Sequence, residues 1–399
     1  MGQERTSPAA PAGDRGRVGE LARLFLKLGT IAFGGPAAHL AMMEDEVVRR
    51  RGWLTREYFL DLVGAANLIP GPNSTEMAIH IGMTRARIPG LAVAGACFIL
   101  PATLITLAFA WAYVRFGALP QAGALLYGVK PAVLAVVLSG VWRLGLTAAK
   151  KPVPAAVGLA VAGLSLAGLS EILLLLASGA LGLALAAWKH RRRGPPMAPA
   201  LWALSPLAAP GFAAVAAAIP AVAPPVTLTA LGLFFLKIGS VLFGTGYVLV
   251  AFLERGLVHE FRWLTQPQLL DAIAIGQFTP GPVLSTATFI GYVLAGVPGA
   301  LVATAAIFFP SFVFVAITNP WVPRLRRAPL AAGFLDAVNG GSVGLMLAVL
   351  ITLGRGALVD VPAWGIGIAA ALAIFRFRVA APWVILGAAI VGWAIRAFL

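Results

Sequence analysis

Asn67-Leu68-Ile69-Pro70-Gly71-Pro72-Asn73-Ser74-Thr75 interrupts one apolar stretch, and Gln277-Phe278-Thr279-Pro280-Gly281-Pro282, with Ser285-Thr286 beyond, interrupts another 210 residues on. Proline removes a backbone donor and clashes with the preceding turn, and glycine adds freedom, so a helix must stop and restart at Pro-Gly-Pro. In hydrocarbon such unwound backbone survives only where protein or a watery cavity surrounds it. The restart exposes free N–H groups with a partial positive charge, which suits an anion. Asn73, Ser74 and Thr75 after the first break, and Ser285 and Thr286 after the second, offer caps or hydroxyl donors. The alternative is a packing kink; two matched breaks flanked by hydroxyls favour a site between them.

The breaks belong to a duplication of the whole chain. Phe25-Leu26-Lys27-Leu28-Gly29 returns as Phe235-Leu236-Lys237-Ile238-Gly239, and Trp53-Leu54-Thr55 as Trp263-Leu264-Thr265. After the prolines the offset drops to 209, pairing Gly82 with Gly291 and Pro101 with Pro310. Two very apolar copies of one paragraph are the mark of a duplicated membrane transporter.

Composition agrees. Of 399 residues 60% are hydrophobic and 11% charged, too few charges to cover a soluble protein of this apolar content. Barrel strands would need alternation and polar turns, and neither is present. The net charge of +15 raises nucleic acid as a partner, but the arginines sit in short loops beside apolar segments, as in Lys189-His190-Arg191-Arg192-Arg193. That pattern sets membrane orientation, so no nucleic acid is expected. Cys97 is the single cysteine and rules out an intrachain disulfide.

The predicted organisation is a disordered N-terminus over 1–20, a first repeat over 21–193, a linker with an extra span over 194–227 and a second repeat over 228–399. Segments are expected at 21–43, 58–82, 89–114, 121–148, 153–169 and 171–188, and again at 231–253, 268–292, 298–318, 330–353, 361–375 and 380–398. Loops basic in one copy are poor in the other: Arg85 and Arg87 against Ala295 and Gly296, and Glu171 against Arg376 and Arg378. The positive-inside rule then makes the halves opposite in orientation, an inverted repeat. The stretch 201–223 supplies the odd crossing. The fold class expected is thus an all-α polytopic membrane protein of about thirteen hydrophobic segments, some broken or re-entrant, with the N-terminus cytoplasmic and the C-terminus outside. Re-entrance of the first two segments of each half would lower the number of crossings and leave the inversion intact.

Other candidates are weighed against plain structural roles. Gly34 and Gly35, with Gly244 opposite, mark a second pair of interruptions, for site lining or for close helix approach. Asn67 and Gln277 are matched amides that can donate to an oxyanion or tie up a freed carbonyl. Lys27 and Lys237 can neutralise a dianion between the repeats or snorkel to the interface. Glu44, Glu254, Asp61 and Asp271 are matched acids able to carry protons, though ion pairing and helix N-termini explain them as well. Thr265 and Gln268 fit a capping box. Glu76 and His80, one turn apart with no counterpart in the second half, suit a proton relay or a local hydrogen bond. No histidine, cysteine and carboxylate cluster suggests a metal, no cofactor motif is present, and no nucleophile–base pair suggests an enzyme.

Lys27-Leu28-Gly29 with Phe33-Gly34-Gly35-Pro36, Pro70-Gly71-Pro72, Phe243-Gly244-Thr245-Gly246-Tyr247, Gly276-Gln277 with Thr279-Pro280-Gly281-Pro282, and Phe289-Ile290-Gly291-Tyr292 together resemble the chromate ion transporter family. The resemblance spans about 21–399. It implies two homologous halves and export of chromate from the bacterial cytoplasm, with a sulfate link in some members. Thr245 replaces a glycine common in the family, and Asn67 and Glu76 stand where many members carry glutamine.

The function expected is a secondary transporter of the bacterial inner membrane that exports chromate, a tetrahedral dianion, and confers resistance to it. Its partners would be a chromate- or sulfate-like oxyanion and the lipid bilayer, with a homodimer left open. A sulfate or other oxyanion exchanger is the alternative within transport; a lipid-phosphate flippase is the alternative from another class.

Overall fold

Helices begin where the sequence provides starts. In a computed structural model, which describes residues 14–33, 35–117, 119–191, 225–243, 246–319 and 329–398, fourteen α-helices and a few tighter or wider turns make up nearly everything, with no strand among the described residues. Thr55 caps α3 (Arg56–Ala66) by accepting from the Tyr58 amide. Thr265 caps α10 (Gln266–Phe278) with the full reciprocal box to Gln268, as its sequence spacing predicts. Each copy opens with a short broken pair: α1 (Asp14–Ile31) and α2 (Pro36–Glu44) in the first, α8 (Leu228–Val241) and α9 (Leu249–Leu253) in the second. Each second member runs into a π-helical stretch, Asp45–Arg50 or Glu254–Glu260. Helix α1 starts at Asp14, so 14–20 is helical rather than part of a disordered terminus. The stretch 201–223 lies outside the described residues.

The restarted helices are hairpins. α4 (Asn73–Phe116) leaves helical geometry at Ala86 and Arg87, and α11 (Thr286–Thr318) does so at Ala295 and Gly296, the same places 209 residues apart. The two arms of each helix lie against one another, because Gly82 faces Gly90 and Gly291 faces Gly299 so closely that a Cβ on any of the four would collide with backbone.

Consequently the first two segments of each half enter and turn back. Arg85 reaches Glu20 at 3.0 Å and lies over the Trp53 ring, so the start of α1, the loop before α3 and the hairpin tip of α4 share one end of the molecule. That end is called here the near end. From it, the second arm of α4, then α5 (Pro120–Ala148), α6 (Pro152–Leu166) and α7 (Glu171–Arg191) cross in turn. In the second copy the corresponding loop sits at the far end. Arg255 donates to the carbonyls of Gly168 and Leu169, between α6 and α7, and Gln266 donates to the Thr352 carbonyl near the end of α12 (Pro329–Ala357). The halves are therefore an inverted repeat. Residues expected to cross in segments one and two re-enter instead, since arms of 11 residues (α3) and 13 residues (α10) are about 16–20 Å long, too short for a 30 Å core.

The halves also exchange parts. Helices α6 and α7 pack mainly on α12 of the second copy, whereas α13 (Val361–Phe375) and α14 (Ala381–Phe398) pack mainly on α5 of the first. Small residues allow the close crossings: Gly128 meets Ala388 and Gly392, and Gly158 meets Gly340 and Gly344. Lys151–Asp336 ties the exchange at the near end, and Tyr127–Asp360 ties it at the far end.

Candidate functional site: two reciprocal corners and an arginine-lined cavity

Each Pro-Gly-Pro corner is held by the opposite half. The amide of Gly71 donates to the Leu242 carbonyl at 2.7 Å, and that of Gly281 donates to the Ala32 carbonyl at 2.9 Å. Ala32 and Leu242 follow the ends of α1 and α8 at matched positions, so the two bonds obey the pseudo-two-fold of the duplication. Both glycines have positive φ, 142° and 91°. The corners are thus paired at the centre of the molecule, each with one of its amides already engaged by protein.

Around them the two corners differ. The second borders a cavity of about 390 Å³ lined by Gln277, Thr279 and Gly281, by Gly35 from the first half, and by Arg143 and Arg378. Gln277 Nε2 is buried with no hydrogen-bond partner. Arg143 lies near the C-terminal end of α5, and Arg378 lies between α13 and α14, at the near end. Arg378 has φ 56°, a conformation that suits glycine, and the turn at Gly168 between α6 and α7 has glycine with φ 92°. Holding an arginine there is local strain of a kind that gathers at functional sites. At the far end a second cavity of about 500 Å³ is lined by Tyr127, Lys130 and Arg396.

The first corner is sealed. Pro70, Gly71, Pro72, Ser74 and Thr75 are buried. The Asn73 side chain donates to Asn67 Oδ1, so this amide pair clasps the break rather than lining a cavity. Glu76 is fully buried beside Gly71 and Ser311, a residue of α11 in the other half. His80 meets Asn319 at 2.9 Å, so His80 and Glu76 both point at α11 and form no relay with one another.

The remaining candidates fall away from the cavity. Lys27 is bound to Glu46 at 2.7 Å, and Lys237 lies in electrostatic range of Glu260 and Glu171, so neither lysine stands between the corners as a dianion counter-charge. Glu44 forms an ion pair with Arg56 at 3.3 Å, and Glu254 is hydrogen-bonded to His259 at 2.6 Å, ordinary local contacts on the entering arms. Asp271 is buried and accepts from Tyr113 at 3.0 Å, whereas its partner in the repeat, Asp61, is half-buried on α3. Ser285 is buried without a partner, and Thr286 bonds the Val283 carbonyl, closing the turn before α11. Pro280 and Pro282 are buried and shape the second corner. Gly34 and Gly244 lie outside the described residues. Arg143 was legible as an arginine inside an apolar segment, with threonine at the matched place 352, but sequence reasoning passed over it.

Comparison with known proteins fits this geometry. The model of the family described as Chromate transporter matches residues 19–183 and again 229–393. The chain belongs to the chromate transporter family. A chromate transport protein of Cupriavidus metallidurans is 33% identical over 94% of this chain and 92% of its own length. A probable chromate transport protein of Synechococcus elongatus is 32% identical over 94% of each chain, and a chromate transport protein of Pseudomonas aeruginosa 31% identical over 93% and 91%. No solved structure matches. Family membership and the apolar helices make this a multi-pass membrane transporter, and the two family matches coincide with the two halves of the inverted repeat.

Proposed function

We propose that the protein exports chromate, a tetrahedral dianion, as a secondary transporter of the bacterial inner membrane and so confers chromate resistance. The observation carrying this is the cavity at the second corner, lined by Arg143, Arg378 and Gln277 beside an unwound backbone, with the buried Gln277 Nε2 lacking a partner. Two guanidiniums match a dianion, and Arg presents planar donors suited to oxyanions. The near end carries Arg85, Arg87, Arg376 and Arg378, which the positive-inside rule puts in the cytoplasm, together with the N-terminus; the C-terminus then lies outside. The open cavity is then the loading state. Rocking of the halves about the paired corners would close it and open the first corner toward the far end.

Energetics favour this direction. Moving a dianion out of an inside-negative cell releases about 4.6 kcal/mol per 100 mV, from about 2.3 per charge. At about 1.4 kcal/mol per tenfold, that sustains a gradient of about a thousandfold without ATP. The test is uptake of labelled chromate into inside-out vesicles under a lumen-positive potential, with sulfate as competitor. Wild-type vesicles should accumulate chromate above empty ones; equal accumulation would make the export reading wrong. Complete inhibition by sulfate at equal concentration would instead identify a general oxyanion exchanger.

A further inference from the structure

We propose that Glu76 is a release latch: its carboxyl carries a proton while the first corner is sealed, and loses it when that corner opens, driving the dianion out. The inference rests on the export reading above. Its ground is an arrangement found in one half only. Glu76 is 0% exposed, in the first turn of α4 against Gly71, the residue whose amide joins the halves. No salt bridge among the described residues reaches it, and both its carboxyl oxygens and the Ser311 hydroxyl lack well-formed partners. At the matched place in the second half stands Ser285, and Ala102 occupies the place of Ser311.

An isolated carboxylate in such a place is far costlier than a neutral acid, so the sealed corner selects the protonated form. Titratable groups nearby do not change that. His80, a turn along the same arm, is taken by Asn319 at the C-terminal end of α11; His39 of α2 faces the Ala32 carbonyl; Lys27 of α1 is taken by Glu46; Asp61 lies midway along α3. When the corner opens, water reaches Glu76, the proton leaves to the receiving side, and a negative charge appears in the same first turn as Asn73, Ser74 and Thr75. A dianion held there is repelled. Resealing requires the proton to return from the same side, so the latch sets the pace of release and moves no net proton across the membrane. Position and charge distinguish this from a packing role, since glutamine fills the same space without titrating.

Two measurements test it on the full-length protein. Infrared spectra of purified wild type at neutral pH should contain a carboxylic-acid carbonyl band that Glu76→Gln lacks. In inside-out vesicles, chromate uptake by the wild type should slow as the lumen is acidified, while Glu76→Gln should be slow and independent of lumen pH. Rates are taken as the ratio of variant to wild type, so that titration of chromate itself cancels. Ser311→Ala, which keeps the carboxyl, should retain the pH dependence with a shifted midpoint. Absence of the band, or a Glu76→Gln profile parallel to the wild type, overturns the latch while leaving export standing. Wild-type vesicles that take up no chromate at any lumen pH overturn the export reading, and the latch with it.

Discussion

Gly281 donates its amide to the carbonyl of Ala32 at 2.9 Å, and this single bond fastens the second corner to the first helix of the opposite half. Its twin from Gly71 to Leu242 means that neither half can move without bending a shared, central joint. Each broken helix thus helps hold the two halves together at their centre.

The joint is sensitive to side chains. An added Cβ at Gly71 would collide with Glu76 at φ 142°, whereas at Gly281 it would meet Ala102 at 3.0 Å. Gly71→Ala should cost about 1–3 kcal/mol of stability and Gly281→Ala less. Thermal unfolding in detergent, with chromate uptake measured alongside, checks the order; equal melting temperatures for both variants and the wild type would contradict it.

Arg143→Ala and Arg378→Gly should each raise the KM for chromate about tenfold, the effect of losing about 1.4 kcal/mol of binding. Arg378→Gly should also melt no lower than wild type, because glycine relieves the φ of 56° there. Unchanged KM in both would remove the arginines from the binding site.

Lys27 is expected to be dispensable for transport. Its 48% exposed side chain pairs with Glu46, a bond that holds this carboxyl below its ordinary value of 4.5. A lowered pKa stabilises the fold above the ordinary value, and that contribution fades as pH falls below 4.5 toward the folded value. Lys27→Ala should therefore cost about 0–1 kcal/mol at neutral pH, and the difference from wild type should shrink in acid. Loss of chromate uptake would instead return Lys27 to the anion path.

Inverted re-entrance predicts a labelling pattern. With Cys97 replaced by serine, cysteines placed at Gly52 and Arg87 should react with an impermeant reagent from one side of the membrane. Cysteines at Arg262 and Gly296 should react from the other. Opposite-side labelling of Gly52 and Arg87 would mean that the second segment crosses.

The repeat, its inversion, both breaks and the Thr265 cap could be read from residues alone, because each rests on local chemistry or on comparison of the copies. Re-entrance could not, since segments of a bilayer's length look alike whether they cross or fold at a buried Pro-Gly-Pro. Nor could the exchange of α6–α7 for α13–α14: these helices are apolar nearly all round, and no pattern on them names a partner. The Lys27–Glu46 pair spans 19 residues through a broken helix and a π-helical turn, so spacing gave no hint of it. The charge of Arg378 is visible in the sequence, but its left-handed backbone and its place in the cavity lining are not.

Besides the Gly71–Gly281 pair, three left-handed positions recur in both copies, as Gly52 with Arg262, Arg87 with Gly296, and Gly168 with Arg378. In each of these three the chain path is shared while one member bears a guanidinium that the geometry does not welcome. An arginine so placed forgoes about 1–2 kcal/mol that glycine would keep. The two halves have thereby become unlike in charge along a shared chain path, with two of the three arginines, Arg87 and Arg378, at the near end and Arg262 at the far one.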